Sequence, residues 1–340
     1  MTFSKVVKTY TLKAAEIHAK TADLYFMTRD FSRMLRGKDY FHLPENLGDY
    51  FTNEKSYFND MKGKADWDGS LEDNVPTLMV PSLRMRTFFP SMVIQYGIGS
   101  HDKFIVTKDK KYLHQIENVC LWMQRHMQED GSFNNRFDIL DSENHYFSNC
   151  SGMTQGLAIS FLTRVLRNDL GIKLDICSLE KLVERAYGSL IRPIEQGGGT
   201  LYEGQHMYIC EYARKDHNIV LNGWVFGIFG LIDYSFWRPG SREIDSILEK
   251  TLLTMAKKLP SYFVSNSGWT YYDNQGRVCS PIYQSLHIHL FDALWRLTGN
   301  YEFREFLGLC RRGYTIPNRC YYTVLKILEK LLDRYRYGTT

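Results

Sequence analysis

Two stretches decide how this chain folds: MYICEYARKDHNIVLNGWVFGIFGLIDY (207–234) and GWTYYDNQGRVCSPIYQSLHIHLFDALWRLT (268–298). Each passes from a polar, phenol-rich segment into a run that is apolar on nearly every side, Trp224–Phe236 in the first and Leu286–Leu297 in the second. A helix without a polar face has to be buried. These two runs therefore read as inner helices, and the polar segments before them read as loops at one end of those helices.

Around them lie amphipathic helices. In Tyr112–Met127 the apolar positions Leu113, Ile116, Val119, Cys120 and Met123 form a helical stripe. Asp109 reads as its cap and Asp130-Gly131 as the turn after it. Gly156–Leu166, Leu179–Ile191 (capped by Ser178), Ile244–Leu259 and Thr323–Leu332 repeat the pattern. A phrase also recurs: YGIGSHDKFIVTKDKKYL (96–113) and LFDALWRLTGNYEFREFL (290–307) both run from a buried helix through a Thr-x-Asp/Asn turn into an aromatic-led helix. Repeated helical hairpins give this signature. The expected fold is mainly α, an (α/α) toroid or barrel of helical hairpins, with an irregular bundle as the alternative.

Glu195–Arg214 and Ser261–Ser280 break the helical rule. The first alternates like a β-hairpin after Gly197-Gly198-Gly199, and the second turns at Asn274-Gln275-Gly276. Both read as small β insertions at one rim. Residues 1–80 read as a helical and loop-rich N-terminal extension with a helix near Thr11–Met34, and residues 81–340 as the toroidal domain.

Composition narrows the function. The chain has 340 residues and a net charge of +4, too mild and too dispersed for a nucleic-acid binder. It suits an anionic ligand in a locally basic cleft. The 23 Tyr, 20 Phe and 6 Trp are enough both to fill a core and to stack on sugar rings. Seven cysteines, an odd number with no CxxC or zinc spacing, read as reduced thiols of a cytoplasmic protein. No apolar run reaches the ~20 residues a membrane helix needs, and the N-terminus has no signal-peptide h-region. No phosphate loop, GxGxxG, GxSxG or HExxH occurs, so no metal and no cofactor is expected. The aromatic-rich C-terminal helix is a candidate homodimer interface.

The residues suited to chemistry cluster in the rim segments. Glu211 and Tyr212 are neighbours, and if that segment is extended they point to opposite sides. Tyr283 and His287 are four apart and share a helix face. Tyr271, Tyr272 and Asp273 follow Trp269. Arg84 and Arg86 stand two apart and, if extended, point the same way as a carboxylate clamp.

The run 211–234 resembles the C-terminal helical domain of the D-glucuronyl C5-epimerases, which act on heparosan and heparan precursors. That family has a Glu-Tyr pair, an Asn-Gly-aromatic helix and a Leu-x-Asp ending, here Glu211, Tyr212, Asn222, Gly223 and Asp233. Its later Tyr-Asp and Tyr…His-Ile elements match Tyr272-Asp273 and Tyr283…His287-Ile288. Upstream, Gln155-Gly156 and Pro90…Gln95-Tyr96-Gly97 resemble further segments, so the resemblance runs in order from about Pro76 to Phe306. Where the family often carries an arginine two residues after its Tyr-Asp, this chain has Gln275, with Arg277 two further on. The length leaves no room for the extra β-domain that the animal enzymes carry before the helical part.

The resemblance implies inversion at C5 of a D-glucuronosyl residue inside an anionic polysaccharide, giving L-iduronosyl. It implies Tyr212 and Tyr283 as proton carriers on opposite ring faces, with Glu211 and Tyr272 assisting. A phenol of reference pKa about 10 suits a weak carbon acid, and neighbouring cations lower it. Arg84, Arg86, Arg277 or His287 would hold the uronate carboxylate, with Gln95, Gln155 and Asn222 as further substrate contacts. No hydride moves, so no nicotinamide is needed. A uronate lyase on the same fold, a hydrolase using Glu211 and Asp273, and a non-catalytic glycan binder are the competing readings.

Overall fold

The computed structural model describes residues 46–80, 85–135 and 145–337. The helix expected near Thr11–Met34 lies outside them. The apolar run at 224–236 is helix α6 (Leu221–Trp237), buried on all sides as far as Tyr234. Three other inner helices share its character: α2 (Pro90–Thr107), α4 (Gly152–Arg167) and α8 (Pro281–Thr298). Each is followed by an amphipathic outer helix: α3 (Lys110–His126), α5 (Ile176–Ile191), α7 (Arg242–Lys258) and α9 (Tyr301–Gly313). The inner helices pack on one another in the order α2, α4, α6, α8, and each outer helix backs its own partner. The fold is mainly α, an (α/α) toroid of helical hairpins, as the alternation of all-apolar and striped segments indicated. A single helical turn α1 (Tyr50–Asn53) precedes them, and α10 (Ile316–Tyr337) follows.

The repeated phrase is a repeated turn. Lys108 and Gly299 both close their helices in the left-handed region, with φ of 59° and 67°. Thr107 and Thr298 each accept a hydrogen bond from the backbone of the residue two on, at 3.2 Å. Asp109 then caps α3 through Lys111 N, and Asn300 caps α9 through Glu302 N. The left-handed closure redirects the chain and the side-chain cap restarts the helix. The cap expected at Ser178 is Asp175 instead: its carboxylate accepts from Cys177 N and Ser178 N, and the Ser178 hydroxyl donates to it. An ionised carboxylate outcompetes a hydroxyl at a helix start.

Inner helices α4 and α6 approach closely because glycines face each other. A β-carbon on Gly156 would meet Phe226 O at 2.5 Å, and one on Gly230 would meet Gly156 Cα at 2.5 Å. The β insertions are a hairpin of β5 (Thr200–Glu203) and β6 (His206–Ile209), and shorter pairs β1 (Leu71–Glu72) with β2 (Val75–Pro76) and β3 (Leu78–Val80) with β4 (Met85–Thr87). The segment 261–280 is less regular than a hairpin, two 3-10 turns followed by the isolated bridges Phe263↔Thr270 and Tyr271↔Val278.

The C-terminal ends of the inner helices are held by a buried polar layer. Arg164 of α4 pairs with Asp233 of α6 and donates to Ser56 O, its guanidinium lying over the rings of Tyr57 (4.8 Å) and Phe58 (4.6 Å). Asp102 of α2 accepts from Tyr57 N and contacts His101. Residues 57–65, inside the segment read as an extension, thus enter the main core. On α10, Tyr322 packs inward while Ile316, Tyr321, Val324 and Leu328 are exposed. Among the described residues no helix is long and apolar enough to cross a membrane.

Candidate active site at the N-terminal rim of the inner helices

Because an antiparallel outer helix separates consecutive inner helices, all four inner helices begin at one rim. The rim segments before α6 and α8 are zipped together there. Leu221 N donates to Tyr272 O at 3.0 Å, Asn274 N to Ile219 O at 3.1 Å, and Ile219 N to Asn274 Oδ1 at 2.8 Å, around a bridge between Val220 and Asp273. This pairing carries the Glu211-Tyr212 segment and the Tyr272-Asp273 segment to the first turns of α6 and α8, where Tyr283 is the third helical residue.

The result is a four-residue cluster. The Tyr272 and Tyr283 rings meet edge to face with centroids 4.8 Å apart, close enough for each phenol to act on the other. Glu211 and Tyr212 are not on opposite sides, because the chain bends there instead of staying extended, and the Glu211 carboxylate acts directly on the Tyr212 phenol. Tyr212 and Tyr283 are close enough for the charge of one to affect the other.

Burial pushes the Glu211 carboxyl up to about 7, against the opposing pull of the neighbouring Tyr212 phenol and the Arg277 charge. Its Oε2 is buried with no hydrogen-bond partner among the described residues. The phenols move the other way from expectation. Tyr212 is raised well above its ordinary value, first by the Glu211 charge and then by burial, and Tyr272 chiefly by burial and then by Glu211. Among the described residues no cation outweighs the carboxylate at these two phenols. Tyr212 and Tyr272 therefore stay protonated at neutral pH, whereas the Glu211 carboxyl is raised toward it.

Arg277 is bound to the fully buried Asp273, its Nε 2.5 Å from Oδ2. Asp273 also accepts from Asn218 Nδ2 (3.1 Å) and from the backbone of Gln275 and Arg277. Arg277 remains half exposed beside the cluster, and its charge reaches Glu211. Asn222 is the second residue of α6, buried, with its Oδ1 unpartnered among the described residues.

Other candidates lie elsewhere. The Gln155 amide donates to Gly131 O (2.8 Å) and Ala186 O, so it ties α4 to the outer layer and faces away from the tyrosines. Gln95, on the second turn of α2, accepts from Lys64 Nζ at 2.9 Å. His287 is fully buried, and burial lowers it to about 3, so it is no cation for a carboxylate. Arg86 is exposed on β4 opposite Met79, and no ion pair or hydrogen bond joins it to the cluster among the described residues. Arg84 lies outside the described residues.

Sequence reading missed a second phenol–arginine group at this rim. Tyr146 bridges Arg214 through the backbone, its hydroxyl accepts from Arg214 Nη1 at 3.1 Å, and Arg214 pairs with Asp216 at 2.8 Å. Tyr146 also raises Tyr212. Nothing in the local pattern links positions so far apart.

The profile of the family described as D-glucuronyl C5-epimerase C-terminus matches residues 134–310, which contain the whole cluster. An uncharacterized protein of Methanocaldococcus jannaschii is 28% identical over 107 residues, 30% of this chain and 33% of that protein. The chain thus spans about a third of the curated relative it matches. Two solved structures, a UGL complex with dGlcA-Glc-Rha-Glc and the unsaturated glucuronyl hydrolase from Bacillus sp. GL1, are 15% identical over 66% of this chain and 60% of theirs, with TM-scores of 0.41 and 0.40. The family match covers more than half of the chain. The chain belongs to the D-glucuronyl C5-epimerase C-terminus family.

Proposed function

We propose that the protein is a polysaccharide glucuronate C5-epimerase that converts D-glucuronosyl to L-iduronosyl residues in a heparosan-like polymer. The observation that carries this reading is the cluster itself: a buried carboxyl pushed up to about 7, next to Tyr212 and beside the paired rings of Tyr272 and Tyr283.

In the forward direction Glu211 is the base of a two-residue unit. Tyr212 takes the C5 proton as its own phenolic proton passes to Glu211, so no isolated phenolate has to form. Tyr283, with the Tyr272 ring packed against it, gives its phenolic proton to C5 from the other face. The Tyr283 phenolate so formed recovers a proton from solvent as Glu211 releases the one it took, which restores the starting state. A carboxyl of pKa near the working pH is the effective base, and a neutral phenol is the matching acid. The dianionic enediolate between the two steps needs positive potential. Arg277 and the N-terminal turns of α6 and α8, whose backbone dipoles point their positive ends at this rim, support that role. No hydride or electron moves.

The test is incubation with heparosan in D₂O. Deuterium at C5 with an intact chain is the expected result. The ultraviolet chromophore of an unsaturated uronate, from loss of the O4 substituent, would assign the protein as a lyase, and absence of both would leave a glycan binder. All seven cysteines are unpaired thiols, which supports a cytoplasmic location.

A further inference from the structure

We infer that Gln284 and Thr270 form a positioning clamp that fixes the spacing of Tyr272 and Tyr283, an inference that rests on the epimerase reading of that pair. Tyr283 rides on α8, and Tyr272 rides on the separate segment leading from Gly268. Gln284, fully buried one residue after Tyr283, joins the two. Its Oε1 accepts from Thr270 N at 2.9 Å and from Thr270 Oγ1 at 2.7 Å, and its Nε2 donates to Gly268 O at 3.1 Å. A neutral carboxamide supplies both the double acceptor and the donor that this backbone needs.

The hydrogen-bond directions are determined. Thr270 has one hydroxyl proton, and the Gln284 Oε1 can only accept, so that proton goes to Gln284. The 2.9 Å contact between Thr270 Oγ1 and His287 Nδ1 must then be a donation from the ring. His287, neutral and fully buried, is thereby held as the Nδ1–H tautomer one turn beyond Tyr283. Donation runs from His287 through Thr270 to Gln284, and from Gln284 to Gly268. His287 is a positioning residue in this arrangement, not a substrate ligand. The titratable groups packed around the clamp are His287, Cys279 and Cys310, with both thiols pushed up by burial, and the Lys326–Glu329 pair lies beyond them on α10.

Displacement of a reacting group by about 1 Å can lower turnover roughly 10²-fold. Thr270→Val keeps the backbone bond to Gln284 but removes the hydroxyl that joins it to His287. Its kcat on heparosan should fall by about 10-fold to 100-fold with KM within about 2-fold, and Thr270→Ser should restore most of it. Gln284→Glu tests the other half. Protonated, it reproduces both roles of the amide; ionised, it sets a negative oxygen against Gly268 O. Its kcat should approach wild type at acidic pH and fall as pH rises, on a limb the wild type lacks. Wild-type kcat in Thr270→Val, a loss carried by KM, no recovery in Thr270→Ser, or a Gln284→Glu profile parallel to wild type would each overturn the clamp. If the wild type itself incorporates no deuterium, the epimerase reading fails separately. The crystal structure of Thr270→Val then decides on the clamp: rings moved from their 4.8 Å separation support it, and rings unmoved reject it.

Discussion

Gly223 and Glu211 pack so tightly that a β-carbon on Gly223 would stand 2.6 Å from Glu211 Cβ and 2.7 Å from its Oε2. The third residue of α6 therefore shapes the seat of the carboxyl. Burial of the carboxyl in this seat is the main cause of its rise.

Gly223→Ala should push Glu211 out of its seat. Overpacking of this kind costs about 1–3 kcal/mol, read by urea denaturation. Turnover should fall by about 10²-fold through displacement of the carboxyl. A variant that folds and turns over like wild type would show that the position of Glu211 is immaterial.

Glu211 links stability to pH. Its carboxyl is near 7 in the folded protein and near its ordinary 4.5 when unfolded. The folded state then binds more protons between those values, so the contribution is fully present below about 4.5 and is lost as pH rises to about 7. The difference amounts to roughly 3 kcal/mol. Glu211→Gln should flatten the stability profile across this window and abolish most turnover. A wild-type slope retained in the variant would assign the titration to another group.

Tyr212→Phe and Tyr283→Phe should each lower turnover by about 10²-fold to 10⁴-fold while polymer affinity stays within a few-fold. The two variants should differ in isotope exchange. Each removes the carrier for one ring face, so D-glucuronosyl and L-iduronosyl polymers should lose C5 exchange unequally. Equal, small losses in both would point to a binding site without chemistry.

Arg164 and Asp233 offer a control at the opposite rim. Arg164→Met leaves the fully buried Asp233 without its cation, and removing one partner of a buried pair costs about 3–5 kcal/mol. Chemical denaturation should show that loss, with kcat per folded molecule unchanged. A kcat loss matching the stability loss would mean that the two ends of the inner helices are coupled.

Much of the site was legible because it is local or came through the family resemblance. Glu211, Tyr212, Tyr272 and Tyr283 stand out in the rim segments of the sequence and meet at one rim. The directions of buried polar side chains were not legible. Gln155 and Gln284 both occupy the first turn of an inner helix; the first bonds outward to Gly131 and Ala186, the second across the rim to Thr270. His287 shares a helix face with Tyr283 yet is spent on Thr270. Which neighbour lies opposite such a group depends on segments far away in the chain.

The sequence alone determined the alternation of buried and striped helices, the Thr-x-Asp/Asn turns that join them, and the family, because periodicity and capping act over a few residues. The tertiary structure decided that Glu211 bends onto Tyr212, that the phenols are raised instead of lowered, and that Arg277 is bound to Asp273. Those outcomes follow from burial and from charges brought together across long chain separations, which no local pattern encodes.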